Sequence, residues 1–389
     1  MAYKIIFLAG IYPSYGGVEK VTTTLANEFH KRGCKVTIVS FEQPHLELLQ
    51  ELECGIELNK LDYPVASKRN IEKLKDIIKN IDADILINQW CIPFYVTWIC
   101  NKAINGTKCK LISVHHNLPN TNKRIKSIED DIATNKGISI INKLKLFAVK
   151  QVSRLSLYYA LTKSARFVVL SKSFVPLTRE FLFNTKSDKI ISIGNPLTIE
   201  TTDNICEKEN EIIYVGRIEE NQKRTKRLID IWSLLEDKHP DWRLTIIGDG
   251  PDKDALSKYC NQNKLKRVTI EGYKEPLPYY KRAKIILLVS EYEGFGLVIS
   301  EGMEYGCIPM VYDSYLASHD LINHQQNGFL IPQPFADEKF AKNIELIMKD
   351  ELLRREMSSN AKEKAKEFSP KEVVNKWFML FNDIKQDYK

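Results

Sequence analysis

A chain of 389 residues, 43% apolar and 28% charged, is longer than one ordinary core needs and falls into two or three globular domains. The net charge of +7 admits an anionic substrate or membrane surface, but the Lys-rich patches lack the aromatic interleaving of an RNA-binding sheet. Eight cysteines with no C-x-x-C pair exclude a disulfide scaffold and a zinc site, and imply a reducing compartment.

From the N-terminus, KIIFLAG is strand-like and runs into the glycine turn of YPSYGGVEKV. This apolar run is too short for a signal segment and has no small-residue cleavage site, so a leader is not expected. The stretch GGVEKVTTTLANEFHKRG repeats apolar residues at Val18, Val21, Leu25 and Phe29, a helical spacing closed by Gly33. KVTIVSF, IDADILIN, KLISVHH, ARFVVLS and KIISIGNP follow as strands. The most apolar longer window, Ile85 to Cys100, contains Asn88, Gln89 and Pro93, so it is not expected to cross a bilayer. Thr121 to Arg166 carries ten Lys and Arg against three acids. It is longer than a normal crossover and has two readings: a helix packed on its own sheet, or a segment resting on an anionic leaflet.

After Asn195-Pro196, TIETTDNICEKENE has no periodicity and the composition of a linker, near residues 196–210. The rhythm restarts with IIYVG, a helix from Lys226 to Leu235, then WRLTIIGDG, KRVTIEG, KIILLVS and CIPMVYD. Strand and helix in alternation predict an α/β fold of two Rossmann-like βαβ domains facing across a cleft, residues 1–195 and 196–368. Residues 369–389, opened by Ser369-Pro370, form a last helix expected to pack back on the N-terminal domain. Open parallel sheets bind ligands at the carboxyl ends of their strands, and every motif singled out here lies at such an end.

The first of these is EYEGFGLVISEG, residues 291–302. A strand runs into Gly294-Phe295-Gly296 and then a helix whose N-terminus suits a phosphate. Glu293 lies in the turn and Glu301 two turns inside the helix, so they cannot act together on one atom. They suit the two ends of a nucleotide sugar, one accepting from sugar hydroxyls and the other from ribose. Acids placed only to complement the helix dipole would look the same. In YVGRIEENQKRTKRLI, Arg217 ends another strand with Lys223 behind it, cations suited to a departing diphosphate. IIGDGP and IEGYKE end two more strands, where Gly248, Gly250 and Gly272 would let the backbone approach a flat base.

Gly216-Arg217, Lys223, Gly248-Asp249-Gly250, Gly272 and Glu293-x7-Glu301 together resemble the retaining glycosyltransferases of family four, which have the two-Rossmann GT-B fold. The resemblance covers nearly the whole chain and is sharpest over residues 211–331. It implies a nucleotide-sugar donor in the C-terminal domain and an acceptor in the N-terminal one. It gives the diphosphate to Arg217 and Lys223, the donor sugar to Glu293 and ribose to Glu301. The backbone of Gly294, Phe295, Gly296 and Leu297 would meet sugar and phosphate, with Gly272-Tyr273 also substrate-binding. In the N-terminal half it implies roles for Gly16 and Gly17 beside donor phosphates or acceptor. His115, preferred over His116, would face the cleft and touch the donor sugar. Asn195 matches the family's domain-junction asparagine, and a turn residue is an equal reading. The family's Lys-Gly is Lys223-Arg224 here, which leaves Lys226 as the alternative lysine.

The resemblance therefore implies transfer of a hexose from a nucleoside diphosphate, with UDP favoured, to a hydroxyl of a glycan or lipid-linked acceptor in bacterial surface polysaccharide synthesis. The anomeric configuration would be retained, with no metal and no cofactor beyond the donor. The expected location is cytoplasmic, either free or peripheral on the inner membrane face. A nucleotide-sugar epimerase on the same plan and a non-catalytic sugar-nucleotide or glycan binder are the rival functions. Asp82-Ala83-Asp84 imitates a metal-binding D-x-D, but it precedes a strand, away from the ligand ends, and reads as a solvated turn.

Overall fold

The first strand, β1 (Lys4–Ile11), shows why a parallel sheet forms: Ile5, Ile6, Phe7 and Leu8 are all fully buried. Consecutive buried residues need both strand faces covered, which helical crossovers supply. The computed structural model describes residues 2–134, 140–200 and 207–387. It divides the chain into two units, Met1–Thr198 with Ser369–Lys389, and Ile199–Phe368. Part of the predicted linker, residues 201–206 with Cys206, lies outside the described residues, as do residues 135–139 of the basic stretch.

The first unit continues with β2 (Lys35–Glu42), β3 (Glu57–Lys60), β4 (Ile85–Asn88), β5 (Lys110–His115), β6 (Arg166–Val169) and β7 (Ile190–Ser192). Their parallel order in the sheet is β3-β2-β1-β4-β5-β6-β7, so the direction of winding reverses between β1 and β4. The helix Pro370–Asp387 belongs to this unit. It packs on the helix Gly17–Lys31, where Phe29 meets the Trp377 ring edge-on at 6.4 Å, and Tyr3 Oη donates to Asn382 Oδ1 at 2.7 Å.

The second unit holds β8 (Glu209–Val215), β9 (Arg243–Ile247), β10 (Val268–Gly272), β11 (Ala283–Leu288), β12 (Ile308–Tyr312) and β13 (Phe329–Ile331). Its order is β10-β9-β8-β11-β12-β13, again parallel, with the reversal between β8 and β11. The strands that sequence patterning misses, β3 and β13, are both edge strands of three or four residues. Edge strands are often short, and so few residues carry no readable period.

Asp82 ends the helix Lys68–Ile81 in the left-handed region, φ 55°, and takes Lys108 at 2.8 Å and Lys4 at 3.1 Å. The D-x-D imitation is thus a helix stop paired with lysines. Seven described cysteines are free thiols, and all but Cys54 are buried. Burial pushes the Cys91 and Cys109 thiols up to about 12, which keeps them protonated and inert.

Candidate functional site

Crevices in open parallel sheets form where the winding reverses, because neighbouring loops there leave in opposite directions. In the second unit that point lies between β8 and β11. The loops carrying Arg217, Lys223 and Glu293 follow those two strands. Two strand-end contacts fix the β8 loop, Gly216 N donating to Ile247 O at 3.0 Å and Ile218 N to Asp249 O at 3.0 Å, and Gly248 N donates in turn to Gly272 O at 2.8 Å. A Cβ on Gly248 would lie 1.8 Å from Gly216 O, and one on Gly250 2.2 Å from Ile218 O. Sequence alone assigns these glycines to the approach of a base. The structure gives Gly248 and Gly250 to the neighbouring loop's backbone, which packs where a side chain would stand. Gly272 has φ +75°, and a Cβ there would meet Lys253 Nζ at 3.0 Å. Tyr273 beside it is 61% exposed.

The loops after β8 and β11 are tied together. Glu291 N donates to Gln222 O at 2.8 Å, and Gln222 Nε2 donates to Tyr292 O at 3.1 Å. Arg227 donates to Val289 O at 3.0 Å and to Glu291 Oε2 at 2.9 Å, its guanidinium 4.1 Å from the Phe335 ring centre. Within this frame Lys223 Nζ meets Glu293 Oε1 at 2.5 Å, with Glu293 only 8% exposed. Both charges are largely desolvated, so each depends on the other. Arg217 stands at the edge, its side chain 61% exposed, with Nη1 3.3 Å from Glu219 Oε2. Lys226, the alternative cation, opens the helix Lys226–Ser233 and has its ammonium 5.6 Å from the Tyr259 ring centre.

Gly296 starts the helix Leu297–Glu304 with φ +92°, and a Cβ there would meet Tyr315 Oη at 2.7 Å. A side chain is therefore barred twice, by conformation and by space. The helix leaves its first N–H groups without intrahelical partners, as any helix does. Phe295 is 3% exposed and edge-on to Phe368 at 5.5 Å, so only its backbone can serve a ligand, in company with Gly294 and Leu297. Glu301, the fifth residue of this helix, is 6% exposed and accepts from Tyr280 Oη at 2.9 Å. Burial and the Glu301 charge hold the Tyr280 phenol well above its ordinary range, so it stays the donor.

The remaining expected residues lie in the first unit. Gly16 caps the helix Gly17–Lys31, and a Cβ on it would sit 2.1 Å from Glu19 Oε2. The Glu19 carboxylate thus leans back over its own helix start, and burial raises its pKa. Asn195 is 7% exposed. His115 ends β5, but its ring is 5% exposed rather than presented openly. Its Nδ1 lies 3.8 Å from Cys91 Sγ, and its Nε2 has no hydrogen-bond partner among the described residues. His116 Nε2 meets Gln89 Oε1 at 2.5 Å, and among the described residues its Nδ1 has none. Sequence reasoning passes over Glu19, Gln89 and Cys91. The signal for the last two was position: they follow β4, at this sheet's own reversal.

Burial holds the His115 and His116 rings down, to about 4 and about 3 against an ordinary 6.5, with His115 adding to the effect on His116. A group whose folded pKa is lowered this way stabilises fully above its unfolded value and loses that contribution as pH falls toward the folded one. The thermal stability of the first unit should therefore fall between pH 6.5 and about 4, by on the order of 3 kcal/mol from each ring at the lower end. Above about pH 5 most carboxylates keep their charge, so the slope there belongs to the histidines. A His115→Asn, His116→Asn variant with an unchanged slope would remove this assignment.

Residues 15–200 match the family model described as Glycosyltransferase Family 4, and residues 199–364 match Glycosyl transferases group 1. Among curated relatives, an uncharacterized glycosyltransferase of Haemophilus influenzae is 25% identical over 96% of this chain and 98% of its own length. The amylovoran biosynthesis glycosyltransferase AmsD of Erwinia amylovora is 22% identical, over 98% of this chain and all of its own. A crystal structure of S. aureus TarM with Fondaparinux, alpha-GlcNAc-glycerol and UDP superimposes with a TM-score of 0.77 at 15% identity, covering 98% of this chain and 100% of that one.

Proposed function

The chain belongs to glycosyltransferase family 4, with a group 1 glycosyl transferase domain on the GT-B fold, and from that premise we propose a retaining, metal-independent hexosyltransferase using a nucleoside diphosphate sugar. The observation that carries the proposal is the Lys223–Glu293 ion pair, with its carboxylate buried, at the reversal of the second sheet, and Arg217 on the same loop as Lys223. Lys223, Arg217 and the N–H groups at Gly296 and Leu297 would take the diphosphate, whose charge grows as the glycosidic bond breaks. Glu293 would accept from donor-sugar hydroxyls and Glu301 from ribose. The acceptor oxygen would attack the anomeric carbon on the face the diphosphate is leaving. A diphosphate oxygen would take the acceptor's proton, so no enzyme nucleophile is required and positioning supplies most of the rate. Cations and N–H groups already cover the charge that a metal would neutralise. UDP is the favoured carrier because UDP occupies the TarM structure. The amylovoran relative supports a place in bacterial polysaccharide synthesis. In this reading the acceptor is a glycan or lipid-linked hydroxyl, and the reaction runs in the cytoplasm or at the inner membrane face.

The test is a panel of UDP-, GDP- and ADP-sugars, scored for nucleoside diphosphate release in EDTA, with the product's anomeric configuration read by proton NMR. Release from one donor in EDTA, with retention once an acceptor is found, is the expected result. Sugar interconversion without diphosphate release would replace the transferase by an epimerase. Loss of release in EDTA, restored by a divalent cation, would remove the metal-independent part.

A further inference from the structure

The helix Ile140–Lys163 is apolar on two opposite faces. Its inner face, with Leu157, Ala160 and Leu161, is buried in the first unit. On the outer face Ile141 is 74% exposed, Leu144 62%, Phe147 63%, Val152 64% and Leu155 57%. Positions 141, 144, 152 and 155 recur at helical spacing, so this is one stripe and not scattered exposure. Aromatic residues close its C-terminal end: Tyr158 meets the half-exposed Phe183 edge-on at 5.4 Å, and Tyr159 meets the half-exposed Phe94 at 6.1 Å. An apolar stripe this long on a monomer's surface marks an interaction site.

Charge selects the occupant. The helix has five Lys and Arg and no acid. Lys143 and Lys145 are exposed and flank the stripe on either side. Two copies meeting face to face would set lysines against lysines, which like-charge repulsion disfavours. A nucleic acid would satisfy the lysines but not the apolar centre. An anionic bilayer satisfies both, the stripe entering the acyl boundary and the lysines reaching back to headgroups. Among the described residues no helix is long and apolar enough to cross a membrane, so the geometry is one of lying along the surface.

We propose that residues 140–163 dock the first unit on an anionic membrane surface, with Ile141, Leu144, Phe147, Val152 and Leu155 inserted and Lys143 and Lys145 on lipid headgroups. The proposal stands on this surface alone, whichever donor or acceptor the enzyme uses.

The experiment is flotation of the full chain with phosphatidylcholine vesicles, either plain or containing about 30% phosphatidylglycerol, at low and high salt. The expected result is at least about tenfold more protein on the anionic vesicles at low salt. Leu144→Ser with Phe147→Ser should lower binding about tenfold at either salt, and Lys143→Glu with Lys145→Glu chiefly at low salt. All four positions are exposed, so both variants should keep the wild-type circular dichroism and donor turnover. Equal binding to both vesicle types, or full binding by the Leu144→Ser, Phe147→Ser variant, would overturn the proposal. Light scattering provides a second route to rejection: a wild-type dimer made monomeric by those two serines, with no vesicle binding, would make the face a contact between copies. A failed vesicle assay beside an active enzyme would sink only this proposal, and bound but inactive protein only the transferase.

Discussion

Glu293→Gln is expected to slow nucleoside diphosphate release about 100- to 1,000-fold when read well below its thermal midpoint, which should also fall because Lys223 loses its counter-charge. The substitution preserves shape and a hydrogen-bonding oxygen, so the 8% exposed site stays filled while its charge is lost. In the structure Glu293 and Lys223 satisfy one another at 2.5 Å. On the proposed function a donor would separate them, drawing the ammonium to phosphate and leaving the carboxylate for sugar hydroxyls. Lys223→Gln should therefore cost a similar factor, and the double variant little more than the worse single one, because groups acting as a unit are not additive. Arg217→Ala, at a 61% exposed side chain, should raise KM more than it lowers kcat. Fully additive losses at positions 223 and 293, or an unslowed Glu293→Gln enzyme, would separate the pair from the chemistry.

Glu211→Ala is expected to lower the stability of the second unit by about 3 kcal/mol, read as a lower urea midpoint at unchanged slope. Glu211 lies in β8, the strand beside the reversal, and is fully buried. Its carboxylate accepts from Arg282 Nε at 2.6 Å, Thr245 Oγ1 at 2.6 Å and Arg243 Nε at 3.2 Å. Burial alone would raise its pKa, but these donors outweigh burial and lower it below the ordinary 4.5. The stabilisation is thus complete above pH 4.5 and fades as pH falls through the folded value. Arg282 and Arg243 are partly exposed and can rehydrate, which keeps the loss near the low end for a broken buried pair. A midpoint within experimental error of wild type would show that water replaces the carboxylate at no cost. Donor release measured well below that midpoint should be unaffected, because the network lies in the strand body and not in the loops that follow it.

The sequence by itself determined the fold class and offered the residue types of the candidate site. Continuous apolar runs such as KIIFLAG, short and bounded by turn residues, read as strands covered on both sides, and their alternation with amphipathic stretches points to a parallel sheet. Arg217, Lys223, Glu293 and Gly296 could be found because each follows such a run. Short edge strands were silent, and so was the true use of Gly248 and Gly250, since backbone against backbone across two loops leaves no local signature. Only the tertiary structure decided that Lys223 and Glu293, seventy positions apart, share one hydrogen bond. It alone decided that His115 is buried with one open nitrogen, and that Lys226 turns to Tyr259. It decided, too, that the helix Ile140–Lys163 keeps a second apolar face exposed. Periodicity registers apolar residues but not which side of a helix the sheet will take, because that choice is made by packing between segments far apart in sequence.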